Sequence, residues 1–210
     1  MAVSFQAADV LVLCYHGLRS RQPFHGQMSH LADHGYSVLS IGQFTEWLNG
    51  DRPIRSPAVL LMFDGCYPDQ LEHVVPVLQT FKFPATFFPV TIPLSDANGS
   101  RSVFRRHEVR ELAGSGYTIG CHSHTHRDLT SLSPAGIQRE VVDSKRILED
   151  VLGQGVTAFC YPYGAYNASI ASGVREAGFD VAFTVDLGGV RVGDDPFQLK
   201  RVPVLGEPRS

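Results

Sequence analysis

Charge is scarce in this sequence. Charged residues make up 19% of the 210, and 18 Lys+Arg against 21 Asp+Glu leave a formal charge of −3. With no basic excess, the chain lacks the electrostatic footprint of a nucleic-acid binder and the cluster of cations that anchors a protein to anionic lipid. No segment approaches the ~20 apolar residues of a membrane-spanning helix. The first nine residues, Met-Ala-Val-Ser-Phe-Gln-Ala-Ala-Asp, put no basic cluster ahead of an apolar core, so they do not read as a secretory leader. The four cysteines, Cys14, Cys66, Cys121 and Cys160, are widely spaced and form no C-x-x-C pair. A disulfide framework is therefore not expected in a chain of this size, and the reading is a cytoplasmic protein with reduced thiols. A single tryptophan, Trp47, falls in an expected helix, so no aromatic platform for a sugar is evident.

What is present is a core. Hydrophobic residues reach 43%, without repeats, linkers or low-complexity tracts, which suggests one domain spanning residues 1–210. Short apolar runs at Val10–Tyr15, Tyr36–Leu39, Ala58–Phe63, Ala85–Val90, Tyr117–Cys121, Val156–Tyr161, Val181–Val185 and Leu199–Val204 read as strands buried on both faces. Between them, Leu71, Val74, Val75, Leu78 and Phe81 make a helical stripe over residues 69–81. Ser133 and Pro134 open a second helix that runs to Gly153, and residues 108–113 form a shorter one. Thr91–Arg106 reads as a long loop. The alternation predicts an α/β fold, a β/α barrel or an open doubly wound sheet.

In a barrel, chemistry sits at the C-terminal ends of the strands. His16 follows the first strand, Asp64 the third, Cys121-His122-Ser123-His124-Thr125-His126 the fifth, and Pro162-Tyr163-Gly164 the sixth. Each alone is an ordinary capping or loop residue; together on one rim they point to a site. Gly120 and the Ser and Thr residues favour a loop for the histidine run. His122 and His126 at i, i+4 suit zinc, and the spacing fits a plain polar loop equally well.

These motifs resemble the polysaccharide deacetylases of the NodB-homology type (carbohydrate esterase family 4). His122-Ser-His-Thr-His126-Arg-Asp128-Leu129 is similar to the family's H-[ST]-x-x-H-x-D-L metal motif, and Phe159-Cys-Tyr161-Pro162-Tyr163-Gly164-Ala-Tyr166 matches an F-x-Y-P-Y-G-x-Y form. Tyr15-His16 resembles the Y-H element of the circularly permuted branch, which includes biofilm poly-N-acetylglucosamine deacetylases and carries its catalytic His near the N-terminus. The resemblance implies a distorted (β/α)7 barrel that hydrolyses an N-acetyl amide with metal-bound water. By it, Asp64 is the base, His16 the acid, and His122 and His126 bind zinc or another divalent metal. The Tyr163 backbone N–H would face the oxyanion, with Tyr161, Pro162 and Arg201 also at the substrate cleft.

The sequence departs from the family at its first motif, T-F-D-D-G-Y. Here it reads Met62-Phe63-Asp64-Gly65-Cys66-Tyr67, so Gly65 stands where the metal-binding Asp belongs. Four readings stay open: Asp64 as the third ligand, Cys66 as a thiolate ligand, a weakened two-His site, or no metal at all. The other cysteines read as small apolar packing residues. Cys160 also replaces the family's arginine that tunes the base, and Arg201 is a candidate substitute beside the plainer reading of an inter-strand arginine. With no export signal seen, the expected substrate is a small acylated molecule or amino-sugar-like intermediate. The alternative is a relative that reuses the pocket for other acid–base chemistry or for ligand binding alone.

Overall fold

The computed structural model describes residues 10–18, 20–95 and 103–204. The segment before Val10, on which the leader reading rested, and residues 96–102 of the expected long loop lie outside these. All eight expected strands form: β1 (Val10–Tyr15), β2 (Ser37–Leu39), β3 (Ala58–Asp64), β4 (Thr86–Phe88), β5 (Thr118–Ile119), β6 (Ala158–Cys160), β7 (Val181–Leu187) and β8 (Leu199–Pro203). The paired strands run parallel in the order β5-β4-β3-β1-β8-β7-β6. Cys121, just past β5, bridges to Phe159 of β6, its N–H donating to the Ala158 carbonyl at 2.8 Å, and brings the two ends of the sheet together. The result is a nearly closed barrel, as the resemblance implied. The remaining strand, β2, lies off that path, paired with the first half of β3 while β4 takes the second half.

The helices α1 (Arg21–Asp33), α2 (Ile41–Leu48), α3 (Val75–Phe81), α4 (Ile92–Ser95), α5 (Arg106–Gly114), α6 (Pro134–Gln138), α7 (Ser144–Leu152) and α8 (Ala168–Glu176) fill the connections. Three of them the sequence reading did not name, α4 among them, which falls inside the expected loop. In α1, Pro23 and Gly26 dilute the stripe, yet Phe24, Met28 and Leu31 at i, i+4, i+7 bury one face. In α8, Asn167 caps the start by accepting from the Ile170 N–H at 2.9 Å. The Ser133 cap forms as expected, accepting from the Gly136 N–H. Two predicted helices are interrupted by single π turns, Gln70–Val74 ahead of α3 and Arg139–Asp143 between α6 and α7.

Strand alternation divides the core in two. Val59, Leu61, Phe63, Phe87, Phe159 and Ala182 face the helices. Val10, Val12, Ala58, Leu60, Met62, Ala158, Val181 and Leu199 fill the barrel interior with Phe44, Trp47 and Leu48 of α2. Trp47 is thus buried among the interior residues rather than offered to a ligand. Carried forward by two residues, the inward phase of each strand leads to Cys14, Asp64, Cys160 and Arg201. That places these four at one level at the C-terminal end of the barrel.

Candidate active site

Asp64 is the hub of that level. It is 1% exposed. Arg201 Nη1 donates to both of its carboxylate oxygens, at 3.0 and 2.8 Å, while Arg201 Nε donates to the Thr184 carbonyl at 2.6 Å. The thiols of Cys14 and Cys160 donate to the same oxygen, Oδ2, at 3.5 and 3.4 Å. His16 Nε2 approaches Oδ2 to 3.9 Å from the rim, its side chain 60% exposed. Burial by itself would raise the carboxyl pKa; Arg201, then His122 and His16, outweigh it and hold Asp64 well below the usual carboxylate range. Burial pushes the Cys14 and Cys160 thiols up, with the Asp64 charge adding to the effect, so both stay protonated as donors to it.

The histidine run is a loop. Ser123 and His126 adopt left-handed φ of 65° and 59°, which a helix through both histidines would not allow. Glu140 secures it: its carboxylate accepts from the His124 N–H at 3.0 Å, from the Thr125 N–H at 2.8 Å and from the Thr125 hydroxyl. Ser123 Oγ accepts from the His126 N–H at 3.1 Å, and the Thr91 hydroxyl pairs with His124 Nδ1 at 2.8 Å. His122 is buried with Nδ1 2.8 Å from the Cys160 carbonyl. A carbonyl only accepts, so that nitrogen carries the proton and Nε2 keeps its lone pair. Burial, opposed in part by Asp64, lowers the His122 pKa to about 4 and leaves the ring neutral above that. The His126 ring packs edge-on against both His122 and Tyr163, with centroids 4.7 Å apart in each case.

Gln70 is a brace that the sequence reading missed. Fully buried, it donates through Nε2 to the carbonyls of His16 and Asp64 at 3.1 and 3.2 Å, and Asp69 accepts from the Leu18 N–H at 2.9 Å. Gln70 and Glu140 both stand on the π turns, whose extra residue redirects a side chain away from the 3.6-residue stripe. A periodicity search therefore cannot see them. Alternation on β1, β6 and β8 would have revealed Cys14, Cys160 and Arg201.

Several expectations change. Arg201 is 1% exposed and committed to Asp64, so it does not line a substrate cleft; its guanidinium stands where the expected substitute for the arginine missing at Cys160 would act. Tyr161 is wholly buried, its hydroxyl donating to the Phe197 carbonyl at 3.0 Å, and Pro162 is buried beside it. Both support the turn from behind. Only Tyr163, 65% exposed with φ 58°, presents itself at the mouth. Cys14 and Cys160 serve as polar donors at the carboxylate, not as packing alone. Cys121 does turn the other way from His122, its thiol meeting Ser144 Oγ at 3.1 Å. All four cysteines are free.

The metal set implied by the family does not fit these residues. Gly65 sits at φ 82°, and a Cβ there would lie 2.6 Å from Tyr67 Cε2 and 2.9 Å from its hydroxyl. The space of the missing carboxylate is occupied by the Tyr67 ring. Among the described residues, neither His126 nor Cys66 joins any group of three donors within 4.8 Å of one another. Asp64, the third-ligand alternative, does join such groups, with His122 and Cys160 and with Cys14 and His16.

Three outcomes follow from this geometry. Arg201→Met leaves a buried carboxylate uncompensated and is expected to cost about 3–5 kcal/mol in denaturant unfolding, much of it recovered in Asp64→Leu/Arg201→Met. In metal-free protein, the lowered His122 pKa makes its stabilisation complete above about pH 6.5 and lost as pH falls towards about 4. The lowered Asp64 pKa adds a second loss, beginning below about pH 4. Melting curves against pH should show both slopes, the upper one reduced in His122→Gln to the part that the likewise lowered His126 pKa supplies. Third, Gly65→Asp is expected to destabilise by about 1–3 kcal/mol and add no tightly bound zinc, while adding Tyr67→Ala relieves part of the loss; isothermal titration and thermal melts read both.

The comparisons agree with this architecture. The sequence profile described as polysaccharide deacetylase matches residues 51–182, a span that includes Asp64, the histidine loop and Tyr163 but neither His16 nor Arg201. Bacillus subtilis (strain 168) YxkH, named as a polysaccharide deacetylase, is 27% identical over 204 residues, covering 94% of this chain and 72% of its own. The poly-β-1,6-N-acetyl-D-glucosamine N-deacetylase of Escherichia coli (strain K12) is 26% identical over 201 residues, with 77% of this chain matching 30% of that longer protein. Among solved structures, IcaB from Ammonifex degensii superposes with a TM-score of 0.86 at 26% identity, over 96% of this chain and 94% of that one. Streptococcus pyogenes deacetylase PplD gives a TM-score of 0.89 at 23% identity over 96% and 95%, which speaks to the fold. The profile alone covers more than half the chain, and the chain therefore belongs to the polysaccharide deacetylase family, hydrolases of N-acetyl C–N bonds.

Proposed function

We propose that this protein removes acetyl groups from an N-acetylated amino-sugar, with His16 moving the protons and Asp64 supplying the fixed charge that holds it. The observation that carries this reading is the 3.9 Å approach of an exposed imidazole to a buried, doubly clamped carboxylate. Asp64 held so far into its ionised form is a weak base. Its negative charge instead orients His16 and stabilises the imidazolium that forms when the ring takes a proton. An imidazole then both accepts the proton of the attacking water and returns it to the departing nitrogen as the C–N bond breaks, so the amine leaves neutral beside acetic acid, which loses its remaining proton to solvent. Gln70 fixes the backbone of both partners, which keeps their separation set before substrate arrives.

The mouth supports a sugar. Tyr163 is exposed beside His126, and Ile92 and Val185 are half-exposed nearby, Ile92 through its N–H on the His124 carbonyl and Val185 packed against Gly164. An amphipathic ring of this kind offers an apolar face to a pyranose and a hydroxyl to its edge. The names of the relatives favour an N-acetylglucosamine polymer over the small intermediate expected from sequence. His16 just past β1, ahead of the matched profile, supports the permuted arrangement, and no described helix is long and apolar enough to cross a membrane.

Acetate release from N-acetylglucosamine oligomers tests the reading. His16→Ala and Asp64→Asn should each lower kcat by roughly 10²–10⁴-fold, whereas Tyr163→Ala should mainly raise KM. Full activity in His16→Ala, or no acetate from any N-acetyl sugar with folded wild-type protein, would sink it.

A further inference from the structure

Three buried donors meet at the inner end of the barrel. An Asp64 carboxylate oxygen, a His122 ring nitrogen and the Cys160 sulfur all lie within 4.8 Å of one another. A second trio, Cys14, His16 and Asp64, shares the same carboxylate but includes exposed His16. The two trios differ in how their imidazoles are held. His122 commits Nδ1 to the Cys160 carbonyl at 2.8 Å, and Cys160 is itself fixed by its N–H on the Cys121 carbonyl at 2.8 Å. Metal-binding histidines almost always tie up their other nitrogen in this way, which aims the free one at the ion. His16 instead stands at the rim, facing the inner group across Asp64.

We propose that this protein binds zinc through Asp64, His122 and Cys160, a carboxylate–imidazole–thiolate set.

Three further observations support it. Gly65 has no side chain, and Tyr67 fills the space where one would begin, so the ligand lost there is not regained locally. Cys160 brings a sulfur to Asp64, while Arg201 on β8 supplies the guanidinium that neutralises the carboxylate. Finally, a thiolate adds a second negative charge beside Asp64 and selects zinc or cobalt over magnesium or calcium. Zinc prefers sulfur at ~2.3 Å and imidazole nitrogen at ~2.0–2.1 Å; the Cys160 sulfur already stands 3.4 Å from Asp64 Oδ2, and a His122 ring nitrogen lies within 4.8 Å of the sulfur and a carboxylate oxygen. Binding releases the Cys160 thiol proton to solvent.

The proposal deepens the hydrolase reading by naming what its site holds, and its test does not depend on turnover. Purified protein is loaded with Zn²⁺ for X-ray absorption and with Co²⁺ for electronic spectra. A sulfur neighbour at ~2.3 Å from zinc and a near-ultraviolet thiolate-to-cobalt band are expected in wild-type protein. Cys160→Ser should lose the band and weaken zinc binding at least about tenfold, while Cys14→Ser, Cys66→Ser and His126→Ala keep the band. If Cys160→Ser fails to fold, the wild-type sulfur shell still decides, together with loss of the band in Cys160→Ala. Absence of sulfur around the bound zinc overturns the proposal, as does a band that survives in Cys160→Ser or needs Cys66. Acetate release without a sulfur ligand would leave the hydrolase reading standing and end this one; a sulfur-ligated zinc without acetate release would do the reverse.

Discussion

The pairing of Asp64 with Arg201 is the contact on which the rest of the site depends. A carboxylate at the end of β3 and a guanidinium on β8, 137 residues apart, are both almost fully buried at the inner end of the barrel. Neither charge is tolerable there alone. The pair ties β8 to β3 across β1, and through Arg201 Nε it also holds the Thr184 carbonyl of β7. It gives the two cysteine thiols something to donate to, and it gives His16 a negative charge to stand beside.

Around that pair the backbone is held in conformations that side chains seldom favour. Cys66, Ser123, His126 and Tyr163 all have positive φ, and all lie in loops at the strand ends. Such strain persists only where surroundings impose it. Two groups provide the restraint for the residues that face the mouth. Glu140 gathers the backbone of the histidine loop, and Gln70 pins the carbonyls of His16 and Asp64. Both emerge from π turns in otherwise regular helices, so the irregularity in each helix has a use at the site.

Most of the fold was legible because buried parallel strands announce themselves as continuous apolar runs, and all eight formed within a few residues of their expected bounds. The rim residues His16, Asp64, His122 and Tyr163 were legible for a related reason: each follows such a run directly. The helix α1 was not, since Pro23 and Gly26 lower its propensity and only packing of Phe24 and Met28 secures it. Gln70 and Glu140 were hidden by the π turns. Arg201 was expected at the substrate cleft as well as beside Asp64, and Cys160 as a small packing residue, while their strand register put both inside at the carboxylate.

The sequence alone determined the strand series, the loop that carries the histidines and the loss of a carboxylate at Gly65, because these depend on local composition and spacing. Only the tertiary structure decided which groups surround Asp64. Closing the barrel sets four inward positions from four strands at one level, and long-range register, which no local pattern records, made neighbours of Cys14, Asp64, Cys160 and Arg201. The same closure turned the Tyr67 ring into the space beside Gly65. Chemistry that read as a family motif with one ligand missing thus became a different set of groups around the same aspartate.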